Sequence, residues 1–394
     1  MIADTIETRM ARVRAAIDLK PGDRTPVCLA MDYKFPYRYK GLTQADYFRG
    51  RGLTGRSGNS LFTEVFQELG GWDMVGAGGN TTRERDILEA PMVIKVPGKD
   101  IPDDEVIQWE EKGVLTHEHY DQIIRVGWTK FMEDFYPRFR GYDPAEYHRR
   151  IDARSMRELE VQKRGIEAWY KLGYPVWGGG DVFSPLMMLS TSRTMMKFTM
   201  DLHRIPDKVQ AVMDAMIDDL IDVSIKSCKA TGVSPPYGIA TKSVILERGG
   251  GFVYPLRIFE RFEFPYLKKM VNAFVNEGIT PILHFDSDWT LNMPYLKELP
   301  HGKFFIQLDS KTDIFKTKDV LRDTCCIMGD VAPSLLSLGT VGDVAVYCRK
   351  LIDVVGKGGG LILGVGCGVP VDAKFDNLKA MIDTARDYSP AWRL

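Results

Sequence analysis

The sequence predicts an α/β protein, an eight-stranded parallel (β/α)8 TIM barrel with N-terminal helices and a helical insertion at the barrel mouth, built as one domain over residues 1–394. Two observations predict it. Short apolar runs recur along the whole chain without polar–apolar alternation, as in strands buried on both faces. Longer stretches with helical spacing separate them. The alternative of a doubly wound open sheet lacks its fingerprint, because no G-x-G-x-x-G follows a strand.

The apolar runs, in order, are Trp72–Gly76, Met92–Val96, Pro175–Gly178, Tyr237–Thr241, Pro281–Phe285, Phe304–Leu308, Cys325–Met328 and Leu361–Val365. Ahead of them Met1 to Lys20 has the pattern of a charged amphipathic helix, with no apolar core of a signal peptide. Residues 97–173 are polar and mostly helical, an insertion expected to cover part of the mouth. Asp207–Lys229 places Val209, Val212, Met213, Met216, Ile217 and Leu220 on one helical face. Phe259–Asn276 and Val341–Val355 behave likewise, and Thr340 with Asp343 resembles a capping box. Asn377–Tyr388 supplies a closing helix. Gly249-Gly250-Gly251 and Gly358-Gly359-Gly360 read as turns rather than phosphate cradles.

Composition narrows the function. The formal net charge is −1, and Lys and Arg are dispersed, so nucleic acid and anionic membrane surfaces are excluded as main partners. No apolar run has the length of a membrane span. The six cysteines show no C-x-x-C spacing, which predicts a reduced, cytoplasmic protein with most thiols packed as small apolar groups.

In a parallel barrel the reacting groups stand at the C-terminal ends of strands. Five strand ends here carry chemistry: Gly178-Gly179-Gly180-Asp181, His284-Phe285-Asp286-Ser287-Asp288, Gln307-Leu308-Asp309, Gly329-Asp330 and Gly366-Cys367-Gly368. His284 and Asp286, two apart on a strand, point to one side. Cys367 can meet them across the mouth, and three such ligands with an open fourth position make a catalytic zinc site. Each residue also has an ordinary structural reading: His284 a hydrogen-bonded core histidine, Cys367 a buried thiol, Asp286 and Asp288 helix caps, Asp309 and Asp330 acceptors for loop amides. His117 and His119 read as an exposed helix start rather than a metal pair. Of Cys325 and Cys326, adjacent on a strand, one must face the barrel interior, where packing is the expected role.

Several stretches also resemble a known family. GGGLILGVGCGVPVDAKFDNLKAMIDTARDY, PILHFDSD, FIQLDSKTDIFKTKDVL and CIMGDVAPSLLSLGT resemble the closing barrel units of the uroporphyrinogen decarboxylase superfamily, convincingly from about Tyr237 onward, and LTHEHYDQIIRVGW is similar to its insertion. Corrinoid-dependent methyltransferases of this superfamily carry H-x-C and a later cysteine in a G-C-G turn as zinc ligands. His284 and Cys367 match the first and last; Asp286 replaces the middle cysteine. Loss of one thiolate leaves zinc a stronger Lewis acid, suited to an oxygen leaving group rather than a thiol.

The resemblance therefore implies the substrate-side methyltransferase of an O-demethylase system. It would move a methyl group from an aromatic methyl ether, of vanillate or guaiacol type, to Co(I) of a separate corrinoid protein docked over the mouth. Zinc and the partner's corrinoid are the implied cofactors, and a homodimer accords with the superfamily. Glu247 is a candidate fourth ligand, and Asp309 or Asp330 a candidate acid or orienting group. Asp181, Arg248 and the aromatic residues Trp177, Phe183, Phe252, Tyr254, Phe285 and Trp289 are candidates for holding the ring, with Arg248 placed to meet a carboxylate or phenol.

Three alternatives stand beside this one. A different methyl donor or a thiol acceptor would keep the zinc. A metal-free porphyrinogen decarboxylase would need an arginine-rich segment of R-Q-A-G-R type, where this chain has MDYKFPYRYKG at Met31 to Gly41. A non-enzymatic binding barrel would leave His284, Asp286 and Cys367 coincidental.

Overall fold

A computed structural model describes residues 4–51, 60–250 and 253–393. Ten strands are present among them: β1 (Val75–Gly76), β2 (Val93–Lys95), β3 (Gln108–Glu110), β4 (Val176–Gly178), β5 (Asp181–Phe183), β6 (Gly238–Leu246), β7 (Thr280–Phe285), β8 (Phe305–Leu308), β9 (Cys326–Val331) and β10 (Leu361–Val365). Seven follow one another in parallel, in the order β1, β4, β6, β7, β8, β9, β10, and β5 pairs with β6 beyond the end of β4. β4 and β5 are thus one barrel strand broken at Gly179 and Gly180. A Cβ at Gly179 would lie 1.9 Å from the Thr241 carbonyl oxygen, and one at Gly180 2.2 Å from Asn80 Oδ1, so only glycine permits this break.

The barrel closes through a segment that the apolar-run reading passed over. Val27 bridges Leu363 and Cys28 bridges Met74, both in parallel, so residues 26–29 fill the eighth position. Met92–Val96, read as a barrel strand, is instead a two-stranded antiparallel ribbon in which β2 pairs β3 outside the barrel. Its apolar residues are half-buried or exposed, and Ile94 is among the exposed ones. An apolar run declares burial in general and does not declare its partner.

Asp73 locks the closure. Its fully buried carboxylate accepts from Val27 N at 2.8 Å and pairs with Arg24 at 2.8 Å and with Arg12. Arg12 belongs to the amphipathic helix Ile6–Ile17, whose Val13, Ala16 and Ile17 plug the lower end of the barrel against Cys28, Met74 and Ile362. The thiol of Cys326 packs in that same interior cluster, away from the mouth, and burial pushes its pKa up to about 12.

The helices hold their expected places. Pro206–Thr231 begins with proline in its first turn and ends at Gly232 in the left-handed conformation. Val341–Val354 has the Thr340–Asp343 capping box, and Phe375–Asp387 ends the set. Phe259–Asn276 divides into a single π-helical turn, Phe259–Glu263, and the helix Phe264–Asn276. The insertion supplies the second strand of the ribbon, β3, and the helices His117–Val126, Trp128–Phe139 and Pro144–Lys171. His117 and His119 do begin a helix, where Thr116 N donates to His119 Nδ1. No helix among the described residues is long and apolar enough to cross a membrane.

Two predictions follow from buried charge. Asp73→Ala removes one carboxylate partner from Arg12 and Arg24, which keep Asp23 and Asp4, and leaves the Val27 amide without its acceptor, so it should destabilise the chain by about 1–3 kcal/mol; an unchanged urea midpoint would contradict this role. Glu263, fully buried with Ser184 Oγ donating at 3.1 Å, has its pKa pushed by burial from 4.5 up to about 8. Between those values the folded chain holds a proton that the unfolded chain releases, so stability falls as pH rises, by about 1.4 kcal/mol per unit from this group. Glu263→Gln should remove that slope. Urea unfolding of both chains at about pH 5 and about pH 7 checks it, and parallel losses in the two would refute it.

Candidate metal centre and adjoining cavity

His284, Asp286 and Cys367 meet at the mouth, with one potential ligand atom of each within 4.8 Å of the others. His284 Nε2 lies 3.2 Å from Asp286 Oδ1 and 3.7 Å from Cys367 Sγ. The local folding follows from the strands. His284 is the penultimate residue of β7 and Asp286 lies just past its end, on the same side. Cys367 follows β10 in the left-handed region, φ 66°, a conformation uncommon for a residue with a side chain and found where surrounding structure enforces it. Gly366 makes that turn fit, since a Cβ there would come within 2.9 Å of the Asp309 backbone.

Gln307 on β8, in register with His284, joins two of the three groups. Its amide nitrogen donates to Cys367 O at 2.7 Å, which turns Oε1 toward His284 Nδ1 at 2.9 Å. Nδ1 must then carry a proton toward Gln307, which leaves Nε2 as the ring nitrogen that faces Asp286 and Cys367. Burial disfavours an imidazolium at His284, yet Asp286 and the Cys367 sulfur outweigh it and hold the pKa well above its ordinary value. Asp286 Oδ1 is buried without a hydrogen-bond partner among the described residues. A carboxylate oxygen whose one near polar neighbour is the His284 ring, an oriented imidazole and an accessible thiol make a donor set that fits a divalent metal such as zinc.

The loop that carries Asp286 is held at each residue. Trp289 Nε1 donates to Asp286 O at 2.7 Å, Ser287 N donates to Asp309 Oδ2 at 2.7 Å, and Thr312 Oγ1 donates to Ser287 O at 3.0 Å. Asp288 accepts from Thr290 N at 2.9 Å, so it caps a turn.

Beside the triad lies a cavity of about 310 Å³ that opens onto His284. Phe183, Trp109, Met92 and Met187 give it apolar walls, and Glu89, Glu111, Asp181, Glu247 and Arg248 give it polar ones. Trp109 and Glu111 come from the insertion, which therefore does cover part of the mouth. Glu247 stands near enough to His284 and Asp286 to feel their charges, its pKa raised by burial and by Asp286, but it is not one of the three clustered ligands. The Arg248 guanidinium pairs with Glu111, and its Nη1 is buried without a partner among the described residues.

Other candidates fall elsewhere. Asp309 spends both oxygens on backbone amides, Ser287 N and Lys311 N. Asp330, buried on β9, accepts from Tyr347 OH at 2.7 Å, and burial pushes its pKa up to about 7. Neither lines the cavity. Trp177 lies in the barrel interior, 6.1 Å from the Phe305 ring centroid. Phe285, next to His284, points to the opposite face by strand alternation and packs against Trp289, with centroids 4.7 Å apart and the rings tilted by 54°. Tyr254 is buried, its hydroxyl 3.1 Å from Thr199 Oγ1. Phe252 lies outside the described residues. Of the aromatic candidates among the described residues, Phe183 alone lines the cavity. Gln307 escaped the sequence reading, although a lone polar residue in the apolar run FFIQL, level with His284, is a visible signal. Glu89, Met92 and Trp109 carried no such signal, because their place depends on the ribbon and its approach to the mouth.

Comparison with known proteins agrees with this architecture. The methylcobamide:CoM methyltransferase MtbA of Methanosarcina mazei is 28% identical over 178 residues, 45% of this chain and 50% of that protein. A uroporphyrinogen decarboxylase of Dichelobacter nodosus is 24% identical over 151 residues, 38% of this chain and 42% of that one. The chain thus spans about half the length of the curated relatives it matches. A solved methyltransferase from Methanosarcina mazei has the same fold, with a TM-score of 0.64 at 15% identity over 98% of this chain and 99% of its own. The uroporphyrinogen decarboxylase (URO-D) family model matches residues 175–388, from the start of the broken third barrel strand through the last helix, and the chain belongs to that family.

Proposed function

We propose that the chain is a zinc-dependent methyltransferase that takes a methyl group from an aromatic methyl ether and passes it to the Co(I) centre of a corrinoid protein. The observation that carries this reading is the His284–Asp286–Cys367 triad opening onto an apolar-walled cavity of about 310 Å³. His284 Nε2, Asp286 Oδ1 and Cys367 Sγ would hold the metal, with Gln307 fixing the imidazole tautomer and the Cys367 backbone. When bound there, zinc would supply a Lewis acid for the ether oxygen as the methyl–oxygen bond breaks. Trp109 and Phe183 would flank the ring, and the insertion would exclude water from one side of the mouth. The opposite approach would admit the corrinoid partner, whose cobalt supplies the electron pair for the new carbon bond.

A second reading is methyl transfer from a methylated corrinoid to a thiol, which the names of the matched methyltransferases favour. The aspartate at position 286 supports the ether instead. Two thiolates would donate more charge to the metal than one, and a less neutralised ion better assists an oxygen leaving group.

The purified chain, supplied with Zn2+ under reducing conditions, should hold about one zinc per chain and methylate cob(I)alamin from guaiacol, and Cys367→Ala should retain little zinc. Zinc binding with methylation of a thiol but no demethylation of any methoxyarene would establish the second reading. Gln307→Leu should lower zinc affinity on the order of ten- to a hundred-fold, by competition with a chromophoric chelator. Unaltered affinity would remove Gln307 from the site.

A further inference from the structure

The cavity beside the triad has a polar side that methyl transfer itself does not use. Asp181, at the start of β5, and Glu89, just past the helix Thr82–Leu88, both line it. Behind them stands a buried network. Lys242 Nζ, fully buried, donates to Asn80 Oδ1 at 2.8 Å, to Gly179 O at 2.8 Å and to Ser227 Oγ at 2.9 Å. The Asn80 oxygen is thereby turned to the lysine, and its amide nitrogen faces the cavity side, donating to Asp181 O at 2.6 Å and reaching the Glu89 carboxyl. The Glu89 carboxyl and the Asp181 backbone are therefore held from the protein side, and both residues line a cavity whose walls include Trp109, Phe183 and Met187.

We propose that Glu89 and Asp181 are the polar anchor of this cavity, and that they select an uncharged methoxyarene bearing a ring hydroxyl over one bearing a carboxylate. This inference rests on the aromatic-ether reading and names the substrate class within it. A phenolic hydroxyl both donates and accepts one hydrogen bond. Asp181 can accept, and Glu89 can donate, since burial and the nearby Asp181 charge push its pKa up to about 7. A ring without the hydroxyl leaves both carboxyls without a partner when water is displaced, the situation in which polar sites discriminate most strongly. A ring carboxylate has no proton to offer Asp181 and brings a second negative charge beside it. Arg248, the one arginine or lysine among the described lining residues, is already paired with Glu111. Its Nη1, without a partner among the described residues, favours a carboxylate, and the Asp181 carboxylate opposes it.

The full chain loaded with Zn2+, without any corrinoid so that no turnover occurs, would be titrated calorimetrically with guaiacol, methoxybenzene and 3-methoxybenzoate. Guaiacol is expected to bind at least about tenfold more tightly than methoxybenzene, with 3-methoxybenzoate weakest. Asp181→Ala, at an exposed position, and Glu89→Leu should each erase the hydroxyl preference, by weakening guaiacol and leaving methoxybenzene bound no more weakly than in the parent. Equal binding of guaiacol and methoxybenzene, tighter binding of 3-methoxybenzoate, or binding of none of the three would overturn the anchor. Adding cob(I)alamin separates the two claims. Guaiacol that binds with the expected preference yet yields no methylcobalamin contradicts ether demethylation and leaves the anchor standing. Methyl transfer from methoxybenzene as efficient as from guaiacol contradicts the anchor and leaves demethylation standing.

Discussion

Closure of the barrel is the constraint on which the site depends, and one buried carboxylate secures it. Asp73 holds the Val27 amide and two arginines, so the short segment 26–29 can bridge β1 and β10 and complete the ring of strands. Only in a closed parallel barrel do the ends of β7, β8 and β10 share one rim. His284, Gln307 and Cys367, separated by up to 83 residues of sequence, then come within hydrogen-bond reach of one another. The charge network lies at the lower end with the helix Ile6–Ile17, and the chemistry lies at the mouth. Stability and reactivity are thus assigned to opposite ends of the same strands.

The mouth is built in two layers of different origin. The triad rests on strand ends, each tied to its neighbour by an amide or a carboxylate: Gln307 to Cys367 and His284, Asp309 to Ser287, Trp289 to Asp286. Such placement holds ligand atoms rigidly. The cavity, by contrast, takes one wall from the insertion, through Trp109 and Glu111, and another from β5 and the loop after β6. Variation in the insertion can therefore change what enters without disturbing what reacts, a division that the barrel architecture favours.

Much of this was legible in the sequence, for a physical reason. Strands β4 and β6 to β10 are largely buried on both faces, so they appear as apolar runs, and the clustered residues His284, Asp286 and Cys367 stand at or just past the ends of two of them. The i, i+2 geometry of His284 and Asp286 follows from strand pleat alone. What misled was apolar content without partner information. Met92–Val96 reads like a barrel strand and is a ribbon, whereas Pro26–Leu29 closes the barrel with only two bridges and little sequence to show for it. Trp177, Phe285 and Trp289 stand near strand ends, but alternation and depth send their rings into the barrel interior or the outer core. Asp309 has the strand-end position of a catalytic acid and serves as a clamp on the loop at Ser287. Position along a strand is readable; which side chains line a cavity also depends on what folds over it.

The central claim is that His284, Asp286 and Cys367 together hold zinc. X-ray absorption at the zinc edge of the purified chain addresses it most directly. The account predicts one sulfur at about 2.3 Å with the remaining shell nitrogen and oxygen at about 2.0–2.2 Å, and loss of the sulfur contribution in Cys367→Ser. A shell of nitrogen and oxygen alone in the parent chain, or a shell that Cys367→Ser leaves unaltered, would contradict it.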